Sequence, residues 1–161
     1  MLKLFILRHG KAVKPDILVN DFNRKLNKKG TAQVNQIGYI LQNTNQMIPE
    51  IISSGAKRTE ETAEIMRYYL EAPTIQFEDN LYLASRKKIQ AYLQNNATEK
   101  TVLLVGHNFG LSDFANYLTG TELLLSTAML VQINFNFDDW KMLSGSTGTI
   151  AQIIEPKVHT F

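Results

Sequence analysis

The sequence predicts a three-layer α/β/α sandwich built on a mixed, mostly parallel sheet. Three observations carry this expectation. Short apolar runs bounded by polar residues, such as Leu2–Leu7, read as strands buried on both faces. Between them, apolar residues recur at helical spacing. In the last quarter the period changes to two, which adds an antiparallel pair to strands that otherwise alternate with helices.

Leu2–Leu7, interrupted only by Lys3, is the first strand. A polar loop broken by Pro15 follows. Asn27 is placed to cap a helix whose Val34, Ile37, Ile40 and Leu41 form one stripe. Pro49 precedes Ile51–Ser54, the second strand, and a helix with Thr62, Ile65, Met66 and Tyr69 on one face comes next. Ser85 opens a helix carrying Ile89, Tyr92 and Leu93. Thr101–Val105 is the third apolar strand, and Phe109–Leu118 is a helix that stops at Gly120. Val131, Ile133, Phe135 and Phe137 alternate with Gln132, Asn134 and Asn136. After a turn at Asp138-Asp139-Trp140, Gly148–Ile154 is the return strand.

No linker, repeat or charge block divides the chain, and 161 residues is the length of one domain, 1–161. A chain of this size buries about 68–70% of the surface its unfolded form exposes, so a core without covalent staples is expected. The 44% hydrophobic content excludes disorder, and 9 Gly with 4 Pro exclude collagen-like and low-complexity classes. With 17 basic against 15 acidic residues the net charge is +2, too small an excess for nucleic-acid binding. The absence of Cys removes disulfides, thiolate catalysis and cysteine-ligated metals. The first apolar run is too short for a signal-peptide core or a membrane span. A cytoplasmic protein without nucleic-acid or membrane partners is therefore expected.

Three polar clusters follow the three buried strands: Arg8-His9-Gly10, then Ser53-Ser54 with Arg58 in the next helical turn, then Gly106-His107-Asn108. Taken singly, each is an ordinary polar group at a strand end. Their joint placement matters, because open α/β sheets bind ligands outside the carboxyl ends of their strands. Two His and two Arg in one crevice suit phosphate. Guanidinium groups offer a planar fork to its oxygens, and neutral imidazole is a competent nucleophile toward phosphorus.

These clusters, with Ser53-Ser54-Gly55-Ala56-Lys57-Arg58 followed by Thr62-Ala63, resemble the signatures of the histidine phosphatase superfamily, whose fold is phosphoglycerate-mutase-like. Arg8-His9-Gly10-Lys11, the stretch from Asp21 through Arg24 and Leu26 to Gly30, and the chain's ending resemble the short SixA-type phosphohistidine phosphatases. The resemblance spans nearly the whole chain. It implies that His9 attacks phosphorus and carries a phosphohistidine intermediate. It implies further that Arg8, Arg58 and His107 surround the equatorial oxygens, with Arg24 an additional phosphate contact, and that water releases inorganic phosphate. No metal or other cofactor is implied, since the guanidinium groups supply the positive charge. Asp21 is left with two readings, an orienting group or a proton donor.

The chain departs from the wider superfamily in two places. Ester-cleaving members carry a Glu two residues after a Leu near mid-chain, and here Leu81-Tyr82-Leu83 puts Leu83 at that position. An alkoxide leaves poorly without a proton, whereas a protonated imidazole leaves as a neutral ring, so the departure favours P–N over P–O cleavage. Pro15 also occupies a stretch where mutase-like members have an Asn. Lys11, Lys14, Lys25, Lys28 and Lys29 make a basic rim on the loop before the first helix, suited to steering an acidic partner. Arg86-Lys87-Lys88 reads as a solvated helix face, His159 as incidental, and Trp140 as a turn or core residue. The expected activity is a phosphohistidine protein phosphatase acting on a phosphorelay or phosphocarrier protein. A small-molecule phosphomonoesterase and a non-catalytic phosphate-dependent binding module are the alternatives.

Overall fold

The computed structural model describes residues 1–72 and 74–157. His159 lies outside the described residues. The chain folds in the order β1 (Lys3–Arg8), α1 (Lys28–Gln42), β2 (Glu50–Ser54), α2 (Lys57–Leu70), β3 (Thr74–Glu78), α3 (Arg86–Asn96), β4 (Thr101–Gly106), α4 (Gly110–Thr119), β5 (Leu130–Phe135) and β6 (Gly148–Ile154). One sheet holds the strands in the order β3-β2-β4-β1-β5-β6. The first four strands run parallel; β5 is antiparallel to β1 and β6 antiparallel to β5.

Alternate residues of the apolar strands feed two separate cores, which is why those runs are continuous instead of amphipathic. Phe5, Leu7, Ile51, Leu103 and Val105 pack with Val34, Ile37, Leu41, Ala63 and Met66 of α1 and α2. Leu4, Ile6, Ile52, Val102 and Leu104 pack on the other face with Ile89 and Leu93 of α3 and Leu111, Phe114 and Leu118 of α4. Caps close the helices locally. Asn27 Oδ1 accepts from Gly30 N at 2.7 Å, Ser85 Oγ from Lys88 N at 3.3 Å, and Gly120 ends α4 at a φ of 70°. Trp140 is a core residue, its Nε1 donating to Glu99 O at 2.8 Å. No described helix is long and apolar enough to cross a membrane.

The structure differs from the sequence pattern at three points. β3 has no counterpart in the reading of the sequence. It pairs on one side only, with β2, and its Gln76 and Glu78 break any apolar run. Ile40 is half-buried, and the α1 stripe is completed by Gly38 beneath the Tyr69 ring. Gln132 lies on the polar side of the β5 alternation yet is buried, because β5 is an inner strand. Its amide is satisfied by Gln46, Asn134 and Gln152.

At the sheet edge remote from the three polar clusters, the buried Glu50 carboxyl accepts from Thr98 N, Glu99 N and Gln76 Nε2, at 3.0, 3.0 and 2.6 Å. This ties the start of β2 to the turn before β4. Glu50→Ala strands those donors and should lower the unfolding free energy by about 2–4 kcal/mol, measured by urea denaturation.

Candidate active site

The chain leaves β1 toward β2 but leaves β4 toward β5, so the connections diverge between these two adjacent strands and open a crevice at their carboxyl ends. The loops after β1, β2 and β4 deliver Arg8-His9, Ser54 and Arg58, and His107 to that edge. Packing holds His9 there tightly. A Cβ at Gly10 would lie 2.6 Å from Gly30 O and 2.8 Å from Val34 Cγ2, so only glycine lets this loop settle on the start of α1. Gly10 N donates to Thr62 Oγ1 at 3.2 Å, and that hydroxyl donates to Arg58 O at 2.7 Å.

His9 is 7% exposed, and its Nδ1 lies 2.6 Å from Gly10 O. A carbonyl can only accept, so Nδ1 carries the ring proton and Nε2 the lone pair. Arg58 Nε donates to that Nε2 at 3.3 Å. Burial, opposed by the Gly10 hydrogen bond and reinforced by the charges of Arg58, Arg8 and Arg24, lowers the His9 pKa to about 4. The His107 ring lies 5.3 Å from that of His9, with Nε2 2.8 Å from Ser54 Oγ. Burial first, then His9 and Arg58, lower its pKa to about 3. Ser54 Oγ accepts from Ala56 N and keeps a proton to give; in the tautomer in which His107 Nε2 accepts that proton, Nδ1 of the ring is a donor. Among the described residues, His107 Nδ1 and Arg8 Nε are buried without a partner, while Arg8 Nη1 donates to Leu125 O at 3.0 Å.

The Arg58 guanidinium is 3% exposed and uses one N–H of each of its three nitrogens within the site. Besides His9, it donates from Nη1 to Asp21 O at 2.6 Å and from Nη2 to Asp21 Oδ2 at 3.0 Å. The same carboxylate accepts from Arg24 Nε at 2.9 Å and from the Tyr82 hydroxyl. The Tyr82 hydrogen bond and then the two arginines hold Asp21 far below the usual carboxylate range, so it is ionised. A cavity of about 410 Å³ is lined by Arg8, His9, Asp21, Arg24, Arg58 and His107, with Ala12, Leu83, Asn108 and Thr127. All six residues singled out in the sequence thus meet at one place. Among the described residues there is no cluster of three side chains arranged to hold a metal ion.

Tyr82 is the residue that sequence reasoning missed. Its ring stands edge-on to His107 at 5.4 Å, and Arg58 Cζ lies 5.8 Å from its centroid. The available signal was its place inside the Leu81–Leu83 run. The Arg86 run, by contrast, is partly structural: Arg86 stacks on Tyr117, with Cζ 3.8 Å from the ring centroid.

The lowered His9 pKa has a consequence for stability. The unfolded chain takes up a proton near pH 6.5, whereas the folded site resists until about pH 4. The stabilisation is therefore fully present above pH 6.5 and is lost as the pH falls toward 4. Between pH 7 and 5 the loss traceable to His9 should be roughly 2 kcal/mol. Urea titrations at the two pH values should show a smaller difference for His9→Gln than for the parent.

Comparison with known proteins agrees with this geometry. A family model described as the histidine phosphatase superfamily (branch 1) matches residues 4–82. An uncharacterized chloroplastic protein of Arabidopsis thaliana is 29% identical over 161 residues, spanning 91% of this chain and 73% of its own length. A protein described as a putative phosphohistidine phosphatase SixA from Nakamurella multipartitia has a TM-score of 0.85 at 21% identity, covering 98% of this chain and 97% of its own. A protein histidine phosphatase SixA complexed with tungstate gives 0.81 at 22% identity, covering 96% and 97%. At these identities the two structures show likeness of fold.

Proposed function

We propose that this chain, whose residues 4–82 match the histidine phosphatase superfamily and whose fold is phosphoglycerate-mutase-like, is a phosphatase that hydrolyses phosphohistidine on a protein through a covalent phosphohistidine on His9. The observation that carries the reading is the state of His9. Its Nδ1 is committed to Gly10 O, and a pKa of about 4 leaves the ring neutral at pH 7. Nε2 is then the nucleophile, held beside Arg58 on the wall of a cationic cavity.

In the first step Nε2 forms a bond to phosphorus as the bond to the leaving imidazole nitrogen breaks. The departing ring already carries a proton on its other nitrogen and leaves neutral. Arg8, Arg58 and His107 hold the equatorial oxygens, with Arg24 a further contact. The unpartnered Arg8 Nε and His107 Nδ1 are donors suited to an anion. Water then attacks the phosphoenzyme, giving dihydrogen phosphate and neutral His9. Guanidinium charge takes the place of a metal, and no organic cofactor enters. Asp21, ionised and tied to Arg24, Arg58 and Tyr82, suits the orienting role better than that of an acid. The absence of Cys suits a reducing compartment such as the cytoplasm.

The P–N preference is supported by Leu83, which lines the cavity where ester-cleaving relatives would carry their acid. A substrate panel tests it. kcat/KM on a histidine-phosphorylated protein should greatly exceed that on p-nitrophenyl phosphate or sugar phosphates. Turnover should survive EDTA and be inhibited by vanadate or tungstate. Leu83→Glu should raise ester cleavage roughly tenfold or more by supplying the missing proton donor. Equal efficiency on esters in the unmodified protein would instead assign a small-molecule phosphomonoesterase.

A further inference from the structure

The rim of the cavity carries apolar side chains that the core does not explain. Ile17 and Leu18 are 101% and 86% exposed at the tip of a tight turn. Val19 N donates to Asp16 O at 3.2 Å and Leu18 N to Asp16 Oδ1 at 2.9 Å, closing that turn. Turn tips favour Gly, Asn and Asp, and two large aliphatics in water contribute nothing to the fold. Both feet of the turn stand on residues of the site. Val13 O accepts from Arg24 Nη1 at 2.7 Å, and Asn20 leads straight into Asp21, which holds Arg58. The two aliphatic side chains are therefore set at a fixed place beside the cavity.

Three more exposed apolar residues come from other loops. Leu83 lines the cavity itself. Phe109 and Leu124 line an adjoining cavity of about 460 Å³ that shares Arg8 and Asn108 with the first. Resting on the phosphatase reading, we propose that the Asp16–Val19 turn, with Leu83, Phe109 and Leu124, is the docking surface for a folded protein that presents its phosphorylated side chain from an apolar surface flanked by acidic residues.

Charge complementarity selects this occupant. Lys11 and Lys14 precede the turn in the same loop, Lys25 O accepts from Val13 N at 2.9 Å, and Arg8, Arg24 and Arg58 line the cavity, so a partner with an anionic centre and acidic edges matches this rim. A small metabolite with its phosphorus at His9 makes no use of aliphatic groups outside the cavity, and the adjoining cavity offers it mainly apolar walls. A membrane-inserting device gathers its apolar residues at one tip, whereas here separate loops place them around a cationic centre. A second copy of the chain would oppose one basic rim to another.

The test uses Ile17→Ser/Leu18→Ser, neither residue being part of the cavity, with phosphoramidate and a histidine-phosphorylated phosphocarrier protein as substrates. KM for the phosphoprotein should rise roughly tenfold or more. Turnover of phosphoramidate and the melting temperature should stay close to those of the parent. An unchanged phosphoprotein KM overturns the proposal, as does an equal loss on phosphoramidate. So does binding of the parent to anionic vesicles that the double substitution abolishes while phosphoprotein kinetics hold. A parent that hydrolyses phosphoramidate but not the phosphoprotein defeats the docking surface alone. A parent that hydrolyses neither defeats the phosphatase reading beneath it.

Discussion

Replacing His9 with alanine should leave a folded protein whose turnover has fallen by about 10⁴-fold or more. The expectation rests on one atom. His9 Nε2 is the acceptor beside Arg58, on a ring whose other nitrogen is engaged with Gly10 O. Without that atom no covalent intermediate forms, and the remaining donors can only polarise phosphate for direct attack by water. Circular dichroism and thermal melting check the fold. Quenching the parent during turnover separates the two routes, since phosphohistidine survives alkali and is lost in acid. Labelled phosphoenzyme should appear after an alkaline quench of the parent and be absent from His9→Ala. Substantial residual turnover in that variant would mean that water attacks the substrate directly.

Arg58→Ala should cost roughly 10²–10⁴-fold in kcat/KM, and Arg58→Lys should recover little of it. A lysine ammonium is a point charge on a flexible stem. It cannot meet His9 Nε2, the Asp21 carbonyl and the Asp21 carboxylate at once, as the buried fork does. The pH profile distinguishes a loss of charge from a general disturbance. On the proposed mechanism neutral His9 attacks, so the parent should hold its kcat/KM down to about pH 4 and lose it below. The Arg58 charge is one of the causes that lowers this pKa. Removing it should raise the pKa and move the acid limb toward pH 6.5. An acid limb that does not move would separate Arg58 from the ionisation of His9.

Much of this molecule is decided over short stretches of chain. The continuous apolar runs of β1, β2 and β4 require two covered faces, and helices between them require parallel pairing. Asn27, Ser85 and Gly120 end their helices through groups only a few residues away. Because each buried strand ends in a polar cluster, Arg8, His9, Arg58 and His107 could be assigned to one edge before any contact was known. The edge strand β3 escaped notice for the converse reason. It covers little apolar surface, and its pairing with β2 comes from backbone groups that leave no trace in the pattern of side chains.

Tertiary structure alone decided what those residues do to one another. Asp21 is ionised because Arg24, Arg58 and Tyr82 converge on it, and Tyr82 stands 61 residues away in the chain. The tautomer of His9 is local, set by the neighbouring Gly10 carbonyl, but its neutrality comes from burial between β1, α1 and α2 and from guanidinium charge brought in by α2. Gln132 looks solvent-facing by period and is buried because β6 and Gln46 cover it. The sequence by itself determined which elements other than β3 form and which residues reach the sheet edge, since propensity, capping and apolar period act over a turn or a few residues. Protonation, orientation and the shape of the rim depend on desolvation and on charges that only the folded chain brings within a few ångströms of each other.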